Sequence, residues 1–292
     1  MTPRANFTIV LPGGRTLELG VRTLLMGILN VTPDSFADGG LHVDPAVAEA
    51  AAVEMQARGA DLVDVGGEST RPGAREVSAD EECLRIQPVI RRLARALTIP
   101  ISIDTSKRAV AEVALGEGAT LVNDVTGLRY DAALAELTAR AGAGLILMHT
   151  RGRPEDMYRE ARYASVTDEV TEELRASVER ALAAGVPREA LILDPGLGFA
   201  KRSEHSYQAL AALPAFATLG YPLLAGPSRK SFLTAAIGDR APQHRDMATA
   251  ASVAAAVLLG AHIVRVHNVP DMFDVIRVAD AVRCGGTSSL RC

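Results

Sequence analysis

Eight times along this chain a short apolar run is followed by a longer segment whose apolar residues recur at helical spacing. That alternation constrains the fold more than any other feature. The runs are Leu24–Leu29, Asp61–Val65, Ile101–Asp104, Thr120–Asn123, Gly144–Met148, Ala190–Asp194, Tyr221–Ala225 and His262–His267. The helical segments are Pro45–Arg58, Ala79–Ala96, Ala109–Gly116, Asp131–Arg140, Asp168–Ala184, Glu204–Leu213, Asp246–Leu259 and Met272–Arg283. Strands joined through helices lie parallel, because a parallel pair needs a long crossover. Eight such units with no change in composition predict an α/β fold: a single-domain (β/α)8 TIM barrel over about residues 24–284 rather than an open sheet. Ahead of it, Phe7–Val10 and Thr16–Leu19 flank Pro12-Gly13-Gly14. They read as a short N-terminal β-hairpin, about residues 7–20, under the barrel.

Barrels of this kind carry their chemistry where the strands end, at the C-terminal face. The first strand ends at Asn30 and the second empties into Gly66-Gly67-Glu68-Ser69-Thr70-Arg71-Pro72-Gly73. The third ends at Asp104, the fourth at Asn123-Asp124, the fifth at Met148-His149 and the sixth at Asp194-Pro195-Gly196. The seventh runs into Gly226-Pro227-Ser228-Arg229-Lys230-Ser231, and the eighth ends at Arg265-Val266-His267. Any one Asp or Asn at such a place can be a helix cap and nothing more. The set resists that reading, because Arg265, His267 and Lys230 are poor caps.

Arg265 and His267 are two residues apart and share a face, while Val264 and Val266 turn toward the helices. An Arg and a His beside a helix start marked by Asn268 and Pro270 suit an anion. Thr70 adds a hydroxyl and Arg71 a fork matched to phosphate or carboxylate. Asp104, Asn123 and Asp194 make an acceptor-rich edge, and Lys230 offers a cation to carbonyl or ring-nitrogen acceptors. That pattern suits a flat fused heterocycle with an aminopyrimidinone edge, with Met148 and Phe199 packed on its faces. The first loop, Asn30–Gly40, reads as a mobile lid worked by Asp34, Ser35, Phe36 and Asp38. Asn30, ahead of that lid, is placed to help hold Mg²⁺ through oxygen and water ligands.

Composition narrows the class. The chain is 48% hydrophobic and carries a net charge of −4, so it has enough apolar mass for a large core and no basic surface for nucleic acid or anionic membrane. Cys83, Cys284 and Cys292 are an odd, scattered set without metal spacing, as expected of reduced thiols. The apolar run within residues 1–12 is too short for a signal peptide, and no stretch approaches a membrane span, so a cytoplasmic protein is expected. His149, His205 and His262 have no spacing partner and are not expected to hold a metal.

In order, NVTPDSFADGG (30–40), DVGGESTRPGA (64–74), ISIDTSK (101–107), LVNDV (121–125), LMH (147–149), DPGLGF (194–199), SRKS (228–231) and RVHNV (265–269) resemble the motifs of the dihydropteroate synthase family. The likeness runs from about Leu24 to the last helix. It implies a barrel enzyme of folate biosynthesis that joins 6-hydroxymethyl-7,8-dihydropterin diphosphate to 4-aminobenzoate, with Mg²⁺. Asp104, Asn123, Asp194 and Lys230 match the family's pterin-holding positions. Thr70, Arg71, Arg265 and His267 match its diphosphate and loop contacts, and Asn30 matches its Mg²⁺ ligand. Phe36, Pro72, Lys230 and Ser231 match the aminobenzoate surroundings.

Two departures stand out: FADGG where FSDGG is usual, and RVHNV where RVHDV is commoner. The resemblance also implies a homodimer through the late helices, where Val253, Val257, Leu258, Phe273 and Ile276 supply apolar surface. A pterin-binding methyltransferase shares the barrel and much of the ring-binding set, but it has no use for a diphosphate site. A pterin-binding relative without catalysis is the non-enzyme alternative.

Overall fold

The computed structural model describes residues 4–32, 44–69, 77–153, 157–159 and 161–285. Strands β1 (Phe7–Val10) and β2 (Thr16–Leu19) pair antiparallel across a tight turn at Pro12–Gly14. Alternation turns Ile9, Leu17 and Leu19 to one face. With Leu11 they join Leu24, Met26, Leu62, Leu121, Ile146, Ile192, Leu224 and Ile263 in one apolar cluster. The hairpin therefore closes the bottom of the larger sheet.

That larger sheet is a barrel. Strands β3 (Leu24–Asn30), β4 (Leu62–Gly66), β5 (Ile101–Asp104), β6 (Leu121–Asp124), β7 (Gly144–Met148), β8 (Leu191–Asp194), β9 (Leu224–Ala225) and β10 (Ile263–Val266) compose it. Its order is β8-β7-β6-β5-β4-β3-β10-β9, with every ladder parallel. The seam between β8 and β9 is drawn together by a bridge at Leu193 and Leu223, where Leu193 N donates to Pro222 O at 2.9 Å. The expected strand Tyr221–Ala225 shrinks to two residues, because Pro222 has no N–H for a ladder and Leu223 makes only the isolated bridge.

Helices α1 (Pro45–Ala57), α2 (Ala79–Ala96), α3 (Arg108–Glu117), α4 (Ala133–Ala141), α5 (Val166–Ala183), α6 (Ser203–Ala211), α7 (Leu213–Phe216), α8 (Thr234–Ile237), α9 (Asp246–Leu258) and α10 (Val269–Arg283) complete the alternation. Side-chain oxygens of Ser78, Ser165 and Asn268 accept first-turn N–H groups of α2, α5 and α10. Helix α4 begins later than the expected Asp131. The Asp131 carboxylate instead accepts from Arg108 N, at the start of α3, at 3.0 Å.

Strand alternation sorts the barrel into two cores. Outward residues such as Leu25, Val63, Val65, Ile103, Val122, Leu147, Val264 and Val266 pack under the helices in the larger cluster. In β4, β6, β8 and β10 the inward residues start apolar at the bottom and become polar or small toward the top. The sequences Leu62-x-Asp64-x-Gly66, Leu121-x-Asn123, Ile192-x-Asp194 and Ile263-x-Arg265 show the change strand by strand.

On the late helices, Val253, Val257 and Ile276 lie in the core under the barrel's helical layer, not on the expected outer apolar face. Four-residue spacing puts Val253 and Val257 on the same inward stripe. The exposed apolar residues there are Met247 (83%), Val278 (65%) and Val282 (56%). Among the described residues no helix is long and apolar enough to cross a membrane.

Candidate active site

Register brings the polar strand ends onto one rim. Asn30 lies beside Gly66, Gly66 beside Asp104 and Asp104 beside Asn123, in an unbroken row across β3 to β6. Met148 and Asp194 are paired on β7 and β8. Gly66 is a gap in that row, where a Cβ would come 3.5 Å from Asn30 Oδ1 and 3.9 Å from Asp104 Oδ2. The Asn30 oxygen and the Asp104 carboxylate therefore open onto a common space. Phe36, Thr70, Arg71 and Pro72 lie outside the described residues.

Arg265 reaches past β3 to the side chains of β4 and β5. Its Nε donates to Asp64 Oδ2 at 2.6 Å and its Nη2 to Asp104 Oδ2 at 2.7 Å. Asn123 Nδ2 donates to the same Asp64 oxygen at 2.9 Å. Asp104 Oδ1 and Asp64 Oδ1 are buried with no partner among the described residues, so each carboxylate keeps one oxygen as an acceptor without a donor. Burial pushes the Asp104 carboxyl well above its ordinary range, the Arg265 charge pulls it back, and nearby Asp64 adds to the upward push. For Arg265, burial works against the charge, but Asp64 and Asp104 outweigh it and the net shift is upward. The expectation of an arginine waiting for an anion needs refining, since two of its nitrogens are already engaged by carboxylates.

Asp194 and Lys230 form the other side. Asp194 Oδ1 accepts Gly196 N at 2.7 Å. Burial raises this carboxyl, opposed by the charge of Lys230 and by the Gly196 N–H. The Lys230 ammonium lies 4.1 Å from the Phe199 ring centroid and donates to Leu197 O. Part of Lys230 stays open to the mouth, yet its ammonium is enclosed by these groups, and that enclosure lowers it to about 7 against the pull of Asp194. A Cβ on Gly226 would meet Arg265 Cβ at 3.8 Å and Lys230 Nζ at 4.0 Å, so both side chains pass the gap that this glycine leaves. A cavity of about 360 Å³ opens to one side, lined by Ser106, Thr126, Thr150, Met157 and others. It shares only Phe199 with the expected site residues.

His267 is set by the seventh loop. Ser228 Oγ lies 2.9 Å from His267 Nδ1 and accepts His267 N at 3.1 Å. Arg229, in a left-handed conformation at φ 57, makes a two-point ion pair with Asp246 through Nε at 2.7 Å and Nη2 at 2.8 Å. Asn268 Nδ2 donates to that same Asp246 at 3.1 Å and to Asp271 at 2.8 Å. This explains how an Asn is accommodated where RVHDV is commoner, since its amide donates to two carboxylates that a third carboxylate would repel.

The helix start of α10 offers less to an anion than expected. Pro270 has no N–H, Asp271 N is taken by Asn268, and Met272 N bonds Asn268 O. Ser231 is exposed, 3.4 Å from the Tyr158 hydroxyl.

Two groups escaped the sequence reading. Asp64, fully buried in mid-strand, ties Arg265 to Asn123. Its inward parity with Leu62 and Gly66 was the available signal. The second is Lys201, almost wholly buried, whose Nζ lies 2.7 Å from His149 Nδ1. Burial takes Lys201 well below its ordinary value and His149 down to about 3, and His149 Nε2 sits 3.3 Å from Glu173. His149 is thus part of a buried network and not an isolated ring.

Barrel and rim together define a class that the comparisons identify. A family model described as "Pterin binding enzyme" matches residues 26–267. A dihydropteroate synthase of Synechocystis is 45% identical over 273 residues, covering 93% of this chain and 94% of the relative. The crystal structure of the Yersinia pestis dihydropteroate synthase with a sulfonamide drug complex superposes with a TM-score of 0.88 at 39% identity, covering 96% of this chain and all of that one. The Xanthomonas albilineans dihydropteroate synthase, solved in complex with 7,8-dihydropteroate, gives a TM-score of 0.82 at 36% identity, covering 92% and 97%. The chain belongs to the pterin-binding enzymes and, among them, to the dihydropteroate synthases. It is a transferase of a pterinylmethyl group.

Proposed function

We propose that this enzyme condenses 6-hydroxymethyl-7,8-dihydropterin diphosphate with 4-aminobenzoate, giving 7,8-dihydropteroate and diphosphate. The observation that carries the reading is the rim itself. Asp104 and Asn123 are neighbours in register, Asp104 bonds Arg265, and Asp104 and Asp194 each lie within electrostatic reach of Lys230 and Arg265, which supports a single ring of acceptors with two basic groups beside it. An aminopyrimidinone edge supplies the matching N–H donors, and buried acceptors without donors are costly. Met148 and Phe199 would flank the ring, with the diphosphate toward Asn30, Arg265 and His267. Ser231 would border the aminobenzoate together with Phe36, Thr70, Arg71 and Pro72.

In the reaction the bond between the pterin's methylene carbon and the diphosphate oxygen breaks, and its electron pair leaves with diphosphate. The electron-rich ring delocalises the positive charge left behind, and the Asp104 carboxylate stabilises it. The arylamine nitrogen attacks the methylene and releases a proton, so no protein nucleophile is needed.

Asn30 would hold Mg²⁺. Its oxygen opens onto the space beside Asp104, and among the described residues no cluster of three His, Cys, Asp or Glu could cage a metal. That donor set fits an ion that takes its remaining ligands from water and substrate phosphate. When bound, such an ion neutralises charge on the leaving diphosphate. We further infer a homodimer through α9 and α10, whose exposed Met247, Val278 and Val282 form the apolar face.

The test combines the purified chain with Mg²⁺, the pterin diphosphate and 4-aminobenzoate. Equimolar dihydropteroate and diphosphate are expected. Binding of methyltetrahydrofolate with no condensation would replace this reading by the methyltransferase, and pterin binding with no turnover by the non-catalytic relative.

A further inference from the structure

We propose that Asp64 decides which atoms the barrel offers to the pterin edge by orienting Asn123 and Arg265 together; this rests on the pterin reading above. Asp64 lies one inward step below Gly66 on β4 and is fully buried. A carboxylate so placed needs strong partners. It has two, and both converge on Oδ2: Arg265 Nε at 2.6 Å and Asn123 Nδ2 at 2.9 Å.

The consequence for Asn123 is chemical. A free amide presents a donor or an acceptor with equal ease, by turning over. With the Asp64 carboxylate against it, the turned-over amide would set its oxygen against an anionic oxygen. One N–H is therefore committed to Asp64, which fixes the way the amide lies; its second N–H and its carbonyl oxygen are what Asn123 has left to offer, in a set order. Beside the acceptors Asp104 Oδ1 and Asp194, the barrel then offers one amide whose donor and acceptor cannot exchange places, so a ring edge whose N–H donors and ring-nitrogen acceptor run in the matching order is selected. Arg265, pinned at Nε by Asp64 and at Nη2 by Asp104, is fixed in its plane by the same carboxylate.

The experiment reads ring binding by calorimetry, using 6-hydroxymethylpterin and its analogue lacking the 2-amino group, with steady-state kinetics alongside. Wild-type protein is expected to prefer the amino-bearing ring. Failure of the wild type to bind either ring would sink the pterin reading, and with it this proposal. Asp64→Ala is expected to weaken the preference roughly 10- to 100-fold, the range for a hydrogen bond to a charged group. KM for the pterin diphosphate should rise while KM for 4-aminobenzoate stays put.

Asp64→Asn keeps an acceptor in place and should restore most of the preference. Asp64→Ala in an Asn123→Ala background should remove little more. A full wild-type preference in Asp64→Ala, or additive losses in the pair, overturns the assignment. A second route does not depend on the alanine variant folding. Asn123→Asp sets two carboxylates together and should lose ring affinity, and adding Asp64→Asn re-creates a donor–acceptor pair and should regain about 10-fold. No recovery in that exchanged pair also overturns it.

Discussion

A carboxyl group offers its charge and its full set of acceptors only while it is ionised, and burial works against that at Asp104. Arg265 opposes burial through its bond to Asp104, yet the net shift stays upward, to about 7. Asp104→Asn retains the shape but removes the charge that answers the developing cation. Turnover should fall on the order of 100-fold or more, with KM for the pterin changed far less. Unchanged kcat in steady-state assays would remove Asp104 from that role. Asp104, Asn123, Asp194 and Arg265 were legible in the sequence because each closes an apolar run, where a polar residue has no packing reason to be. Asp64 was not, because it sits between two valines in mid-strand. Its partners lie 59 and 201 residues away, and only barrel closure brings them together. Lys201 was hidden for the same reason, since its partner His149 comes from the preceding strand's end.

At the scale of elements, the strand ends are locked to each other as well as to their own helices. His149 N donates to Asp194 O at 2.8 Å, and a Cβ on Gly196, at φ 69, would fall 1.9 Å from His149 O. Only glycine fits there. Gly196→Ala is expected to cost about 2–4 kcal/mol and lower the melting temperature by roughly 5–10 °C. Gly142→Ala is the comparison, with similar φ at 61 and nothing within 4 Å of the added carbon, and should cost about 1 kcal/mol. Equal losses by differential scanning calorimetry would mean that φ alone, and not the close approach, demands the glycine. Elements with a strong period were readable to within a few residues: Ile101–Asp104, Gly144–Met148 and Ala79–Ala96 fall where expected. The four-residue helices Leu213–Phe216 and Thr234–Ile237 were missed, because a single turn shows no period. The outer face of α9 and α10 was misjudged for the opposite reason. Alanine-rich α9 shows little polar contrast between its faces, and only packing decided which stripe turned inward.

The whole molecule couples its bottom and its top to pH in different ways. Near the bottom, His262 is buried and neutral, its Nδ1 accepting Leu223 N at 3.0 Å and its Nε2 lying 3.0 Å from Ala5 O. Burial lowers it to about 4, so between about 6.5 and 4 the unfolded chain binds a proton there that the folded chain does not. Stability from this group is therefore complete above about 6.5 and lost as pH falls. Buried Asp104 and Asp194 titrate with the opposite sign, so the informative quantity is a difference between variants. His262→Gln should gain on wild type by on the order of 3 kcal/mol between pH 7 and pH 4 in urea unfolding. A gap independent of pH would refute the buried neutral ring. For the assembly, Val278→Glu and Val282→Glu place charge on the exposed stripe of α10 and should give monomers by light scattering. Persistent dimers would move the interface elsewhere. On the proposed reading, function turns on one opening, where acceptors from β5, β6 and β8 meet a donor-edged ring beside Lys230 and Arg265. A crystal structure of the chain soaked with the pterin diphosphate tests it most directly. The prediction is the aminopyrimidinone edge against Asp104, Asn123 and Asp194 with the diphosphate toward Asn30 and His267; a ring bound away from those three side chains contradicts it.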